Sequence, residues 1–174
     1  MKLKLVMVIP QKDFRDEELL DTKAVLEENN FRIHVAAPTK NIAIGKLGAQ
    51  ISPDIDFPDI EEGRYEGIVF VGGPGAFTLI DDPYLHAVAR KFSEKKKLVA
   101  AICIAPAILA KAGLLVGKKA TVNFTGINYL EETGAILSEN DVEVDGNIIT
   151  ATGPVVAALF GQAIVDYFKK SPLD

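Results

Sequence analysis

Apolar positions along the chain fall into two rhythms. Leu3, Leu5, Val6, Met7, Val8 and Ile9 form a near-continuous apolar run, the pattern of a strand covered on both faces. The segments "FRIHVAAP" (31–38), "YEGIVFVGG" (65–73) and "LVAAIC" (98–103) repeat it. Between these runs the spacing becomes helical. Asp13 or Asp16 stands where it can cap a first helix, with Leu19, Leu20 and Leu26 on one side and Asn29-Asn30 at its end. "DPYLHAVARKFSEKKK" (82–97) has Pro83 near its start and cations at its end, and "APAILAKAG" (105–113) is closed by Gly113.

The second half continues the alternation. "GKKATVNF" (117–124) predicts a strand, "GINYLEETG" (126–134) a short helix, and "VVAALFGQAIVDYFKK" (155–170) a longer one with a wide apolar stripe. "VEVDGNIITAT" (142–152) holds an Asp-Gly pair between two alternating runs, a hairpin signal. The segment 41–59, rich in Gly, Pro and Asp, predicts a small β-ribbon and loop. Strands alternating with helices imply an α/β fold: a flavodoxin-like three-layer α/β/α sandwich with a mostly parallel central sheet and a small β-hairpin near the C-terminus. Residues 1–174 are expected to form one domain, since 174 residues with 48% hydrophobic content suffice for one core.

Charge narrows the partners. The 24 acidic and 19 basic residues give a net charge of −5 and are mixed along the chain, so no basic stripe offers a surface to nucleic acid. The apolar start stops at Pro10 and Lys12 without a small-residue cleavage site, and no run reaches the ~18 residues of a membrane span. A cytoplasmic protein without membrane contact is expected. Lys95 to Lys97 are expected to be a solvated helix end. "GGPGAF" (72–77) lacks the last glycine of a dinucleotide fingerprint and follows the third strand, and "VGKKAT" lacks the rest of a phosphate loop. His/Cys/Asp/Glu spacing supplies no metal set, so no cofactor and no metal are expected.

The single cysteine, Cys103, cannot close an intrachain disulfide and sits between two apolar runs. Two readings stand for it: a small buried hydrophobe, or a reactive thiol. In a doubly wound sheet with order 2-1-3-4-5, ligands bind beyond the carboxyl ends of the strands. That would bring together Glu18, the Gly72-Gly73 pair and Cys103. Small residues two positions either side of Cys103, Ala101 and Ala105, permit a sharp strand-to-helix turn. The following helix end would favour thiolate, and the backbone N–H groups of Ile104 and Gly73 would hold a developing oxyanion. Glu18 could equally be a first-turn acid serving the helix dipole, as Asp16 and Glu17 are read. His34, on the second strand, and His86, in the helix after the third, are read as structural residues.

These motifs resemble the ThiJ/PfpI family, the superfamily that includes the parkinsonism-associated protein deglycase and is structurally close to class I glutamine amidotransferases. "FRDEEL" (14–19), "YEGIVFVGG", "AAICIAPAILAKAGLLVGKKAT" (100–121) and "ITATGPVVAALFGQAIVDYF" (149–168) match in order and spacing over nearly the whole chain. The resemblance puts Glu18 on the glutamate that hydrogen-bonds the reactive cysteine and Gly73 on the oxyanion-donating glycine. It implies stress-protective glyoxalase- or deglycase-like chemistry on a small reactive carbonyl or glycated substrate, and a homodimer or larger homo-oligomer. Val71 stands where the family usually has proline before the glycine pair, and three further departures bear on mechanism. Ile104 stands where peptidase-like members have histidine, Asn123 where glyoxalase-like members have one, and Arg15 replaces a glutamate. Asn123 becomes a candidate for hydrogen-bonding a substrate oxygen, but it is no base. A peptidase or amidase is therefore disfavoured, because histidine normally delivers the leaving-group proton. An oxidative-stress sensor built on the same thiol is the other alternative.

Overall fold

The structure is a computed structural model that describes residues 2–170; the remainder of the expected 1–174 unit lies outside the described residues. The first third runs β1 (Lys4–Val8), β2 (Lys12–Phe14), α1 (Asp16–Glu28), β3 (Arg32–Ala37), β4 (Ala43–Gly45), β5 (Gln50–Ile51) and β6 (Ile55–Asp56). Next come β7 (Gly67–Phe70), α2 (Pro83–Glu94), β8 (Leu98–Ile102) and α3 (Pro106–Lys111). The chain then forms β9 (Lys119–Ala120), α4 (Ile127–Glu132), β10 (Ile136–Leu137), β11 (Val142–Asp145), β12 (Ile148–Ala151) and α5 (Ala157–Lys170).

Seven strands form one sheet in the order β11-β12-β8-β7-β1-β3-β6. All neighbours are parallel except the β11–β12 hairpin. Taken in chain order, β1, β3, β7, β8 and β12 stand as 2-1-3-4-5, so the flavodoxin-like α/β expectation holds. The apolar runs explain why. Alternate residues of one strand face opposite layers. Leu5 and Met7 pack with Leu19 and Leu26 of α1 and Phe160 and Ile164 of α5. Val6 and Val8 pack with Leu85 and Phe92 of α2 and Ile108 of α3. A strand buried on both faces has no position left for a polar residue, hence the unbroken runs.

Several local expectations need correction. Leu20 is an exposed neighbour of Leu19, since one helical step turns it out of the core; Thr22 and Leu26 complete the buried side. Neither Asp13 nor Asp16 caps α1. Arg15 holds the N-cap position without a side-chain bond, and Asp16 accepts the N–H groups of Leu47 and Ala49, both at 2.7 Å. The strand expected over 117–124 is paired only at Lys119–Ala120; its continuation is held by Thr121 N–H donating to Thr150 Oγ1 at 2.9 Å and Asn123 N–H donating to the Cys103 carbonyl at 2.8 Å. In the hairpin, Asp145 pairs with Ile148, so the two-residue loop is Gly146-Asn147. Lys97 is not a solvated helix end. Its Nζ donates to the Tyr65 carbonyl at 2.6 Å and pairs with Glu62 at 2.8 Å. Among the described residues, no helix is long and apolar enough to cross a membrane.

Candidate active site

Three loops at the carboxyl ends of β1, β7 and β8 converge, and a cavity of about 300 Å³ lies between them. Cys103, Glu18, Gly73, Ile104 and Asn123 all border it. The five candidates singled out in the sequence therefore meet in one place. Arg15, Pro74, Phe77, Thr125 and Pro154 also line the cavity. Sequence reasoning passed over these five because their side-chain types carry no signature; only the replacement at Arg15 left a trace.

Cys103 leaves the end of β8 in the left-handed region, with φ 64°. That conformation is costly for a residue with a Cβ, on the order of 1 kcal/mol, and the surroundings must impose it. Cys103 N–H donates to the Ala151 carbonyl at 2.9 Å, and its carbonyl accepts from Asn123. Ala101 and Ala105 are fully buried, which leaves no room for larger side chains on either side of the bend. The resulting turn aims the half-buried thiol at the cavity.

Glu18 is fully buried in the first turn of α1. Its Oε2 accepts the Gly72 N–H at 2.8 Å. Oε1 is the one buried side-chain oxygen or nitrogen, among the described residues, that finds no hydrogen-bond partner of good geometry. The group that shares its space is the Cys103 thiol, with which the carboxyl interacts. Gly72 has to be glycine for this approach. A Cβ there would stand 2.7 Å from Cys103 Cβ and 2.8 Å from Glu18 Oε2. Gly73 adopts φ 103°, and a Cβ on it would collide with the backbone of Asp13, Phe14 and Arg15.

Burial dominates the electrostatics. It pushes the Glu18 carboxyl up to about 7, opposed by the interaction with the Cys103 thiol and by the hydrogen bond from Gly72. Burial also pushes the Cys103 thiol up to about 12, with the charge of Glu18 adding to the rise, while the N–H groups of Gly73 and Ile104 aim at the sulfur and pull it down. The expectation that the helix end favours thiolate is thus overturned for the resting pair. α3 has only six residues and begins at Pro106, which has no N–H, so desolvation outweighs it. The two groups titrate as a unit that gives up its first proton near neutral pH.

The remaining candidates are more ordinary. Asn123 Oδ1 is engaged by Thr125, from N–H at 3.1 Å and from Oγ1 at 2.8 Å, which leaves its amide nitrogen as a donor. His34 Nδ1 meets the Tyr65 hydroxyl at 3.0 Å and His86 Nε2 meets the Ile80 carbonyl at 2.7 Å, and neither borders the cavity. No group of three or more His, Cys, Asp or Glu able to hold a metal ion occurs among the described residues.

A flavodoxin-like sheet with a strand-end cysteine and a buried glutamate defines the class. Residues 4–167 match the model of the DJ-1/PfpI family, and the chain belongs to that family. An uncharacterized protein of Methanocaldococcus jannaschii, MJ0967, is 41% identical over 97% of this chain and 83% of its own length. The deglycase TK1284 of Thermococcus kodakarensis is 28% identical over 86% of this chain and 90% of its own. The crystal structure of a ThiJ/PfpI domain protein from Brachyspira murdochii superposes with TM-score 0.95 at 29% identity, covering 98% of this chain and 99% of that one.

Proposed function

We propose that the protein captures small reactive carbonyl compounds on Cys103 and converts them by glyoxalase- or deglycase-like chemistry. One observation carries this reading: a fully buried carboxyl with one oxygen unpartnered stands beside a thiol at which two backbone N–H groups aim. A relative named as a deglycase supports the substrate class.

The protonation of the pair suggests the route. With its pKa near 7, Glu18 is ionised in a useful fraction at neutral pH while the thiol still holds its proton, the arrangement of a general base beside its nucleophile. As the sulfur adds to an aldehyde carbon, the thiol proton passes to Glu18, and the former carbonyl oxygen takes it up to give a hemithioacetal. With a 2-oxoaldehyde such as methylglyoxal, Glu18 next moves a proton from the former aldehyde carbon to its neighbour. The resulting thioester is cleaved by water to a hydroxy acid and the free thiol. No leaving amine has to be protonated at any point, so the route needs no histidine. Peptide hydrolysis does need that proton, and among the described residues no imidazole lines the cavity. A thiol held this far up in pKa also suits direct capture of oxidant less well than carbonyl addition assisted by a base.

The test is incubation with methylglyoxal, following lactate. Turnover in the wild type, lost in Cys103→Ser and in Glu18→Gln, is the expected result. Lactate formation that survives Cys103→Ser would remove the proposal.

A further inference from the structure

One wall of the Cys103 cavity carries a charge that the addition chemistry leaves unused. Among the described residues, Arg15 is the only cationic side chain lining it. Its backbone is fixed by the elements that fix the pair: Arg15 N–H donates to the Gly72 carbonyl at 3.0 Å, while Gly72 N–H holds Glu18. Glu17 engages the guanidinium through Nε at 2.8 Å and Nη2 at 3.2 Å, and Nη1 takes no part in that pair. The ion pair is about a third exposed on both sides, so a ligand entering the cavity can compete for the cation. The charge of Arg15 is felt at both Glu18 and Cys103.

Outside the Glu18 carboxyl, the lining has the same polarity. Asn123 Oδ1 is spent on Thr125 and Glu18 Oε2 on Gly72, while Glu18 Oε1, the acceptor left over, stands beside the thiol whose proton it takes. Donors remain at the N–H groups of Gly73 and Ile104 and at the Asn123 amide nitrogen. Away from that oxygen, the lining matches a ligand whose polar atoms accept hydrogen bonds and which carries negative charge. A glycated lysine, which brings an N–H and positive charge, matches it less well.

We propose that Arg15 is a specificity-determining residue that selects small aldehydes bearing a carboxylate, a deepening that rests on the reading of Cys103 as a carbonyl-capturing thiol. The step is an addition that needs no other reactant. The S–H bond breaks and the S–C bond forms, the carbonyl π bond opens, and the proton ends on the carbinol oxygen by way of Glu18. The carboxylate meanwhile meets the guanidinium in place of Glu17.

Glyoxylate is the charged probe and methylglyoxal the neutral one, each used to protect Cys103 from alkylation by iodoacetamide. Every variant is compared with its own unprotected rate, and the ratio of half-protecting concentrations between variant and wild type cancels the differing hydration of the two aldehydes. Arg15→Gln is expected to raise the glyoxylate concentration about tenfold more than that of methylglyoxal, the worth of one charge-assisted contact. Arg15→Lys should restore part of the preference, and Glu17→Gln, by freeing the guanidinium, should strengthen it. Protection by both aldehydes with equal shifts in Arg15→Gln would overturn the role of Arg15 and leave carbonyl capture standing. Protection by neither aldehyde in the wild type would overturn both.

Discussion

Asp16 and Glu18 leave the same turn of α1, and both are buried, yet they do opposite things. Asp16 spends both oxygens on backbone N–H groups of the β4–β5 ribbon, 31 and 33 residues away. Glu18 spends one on Gly72 and leaves the other unpartnered beside a thiol. A buried carboxylate with every bond met is a staple, because its charge is already compensated. One with a bond missing keeps a proton affinity that chemistry can use, at a cost in stability. The fold thus sets a tie and a reactive group two residues apart, distinguished only by what the surrounding backbone offers them.

The largest expected effect breaks the comparison on the reactive side. Glu18→Gln keeps the shape and the Gly72 bond but has no proton to exchange, so lactate formation from methylglyoxal should fall by roughly 10²- to 10⁴-fold. Asp16→Asn should leave activity per folded molecule near the wild-type value. A drop of similar size in Asp16→Asn would erase the distinction. Gly72→Ala comes next. Its added Cβ falls between Cys103 and Glu18, so spreading the pair should cost on the order of a hundredfold in turnover, while far-ultraviolet circular dichroism shows the fold retained.

Stability effects are smaller. Asp16→Asn replaces an acceptor of the two N–H groups with an amide that can serve only one of them well, and urea titration should show a loss of about 2 kcal/mol. Glu18 predicts a pH dependence of the opposite character. Its folded-state pKa of about 7 lies above the ordinary 4.5, so the folded protein binds its proton more tightly than the unfolded chain. The contribution is full below pH 4.5 and is lost as pH rises through 7. Melting temperature should therefore decline less between pH 5 and pH 8 in Glu18→Gln than in wild type, and parallel curves would speak against a raised carboxyl. The smallest effect is expected at Cys103→Gly, which relieves the φ 64° strain and should stabilise by up to about 1 kcal/mol in the same titration.

The doubly covered parallel sheet was legible because strands buried on both faces must be apolar throughout, as Leu5 to Ile9 and Leu98 to Ile102 are; the strand order is a matter of topology that no run of residues encodes. The site was legible to the extent that strand ends converge by topology, which places Glu18, Gly73 and Cys103 without any side-chain detail. Asp16 was not legible, since its partners Leu47 and Ala49 are backbone groups that any residue carries. Arg15 was visible only as a departure from a pattern; its place on the cavity wall depends on the Gly72 carbonyl, distant in sequence. The thiol's acidity was misjudged because a helix end is a local feature of the sequence, whereas desolvation depends on every element packed around the sulfur.

The central claim is that Glu18 and Cys103 share their protons. The pH dependence of Cys103 alkylation by iodoacetamide, in the wild type and in Glu18→Gln, tests it most directly. The wild-type rate should rise with an apparent pKa near 7, and that inflection should vanish from the variant, leaving a rise at distinctly higher pH. Coincident profiles in the two proteins, each rising near the ordinary ~8.5 of a free cysteine, would contradict it.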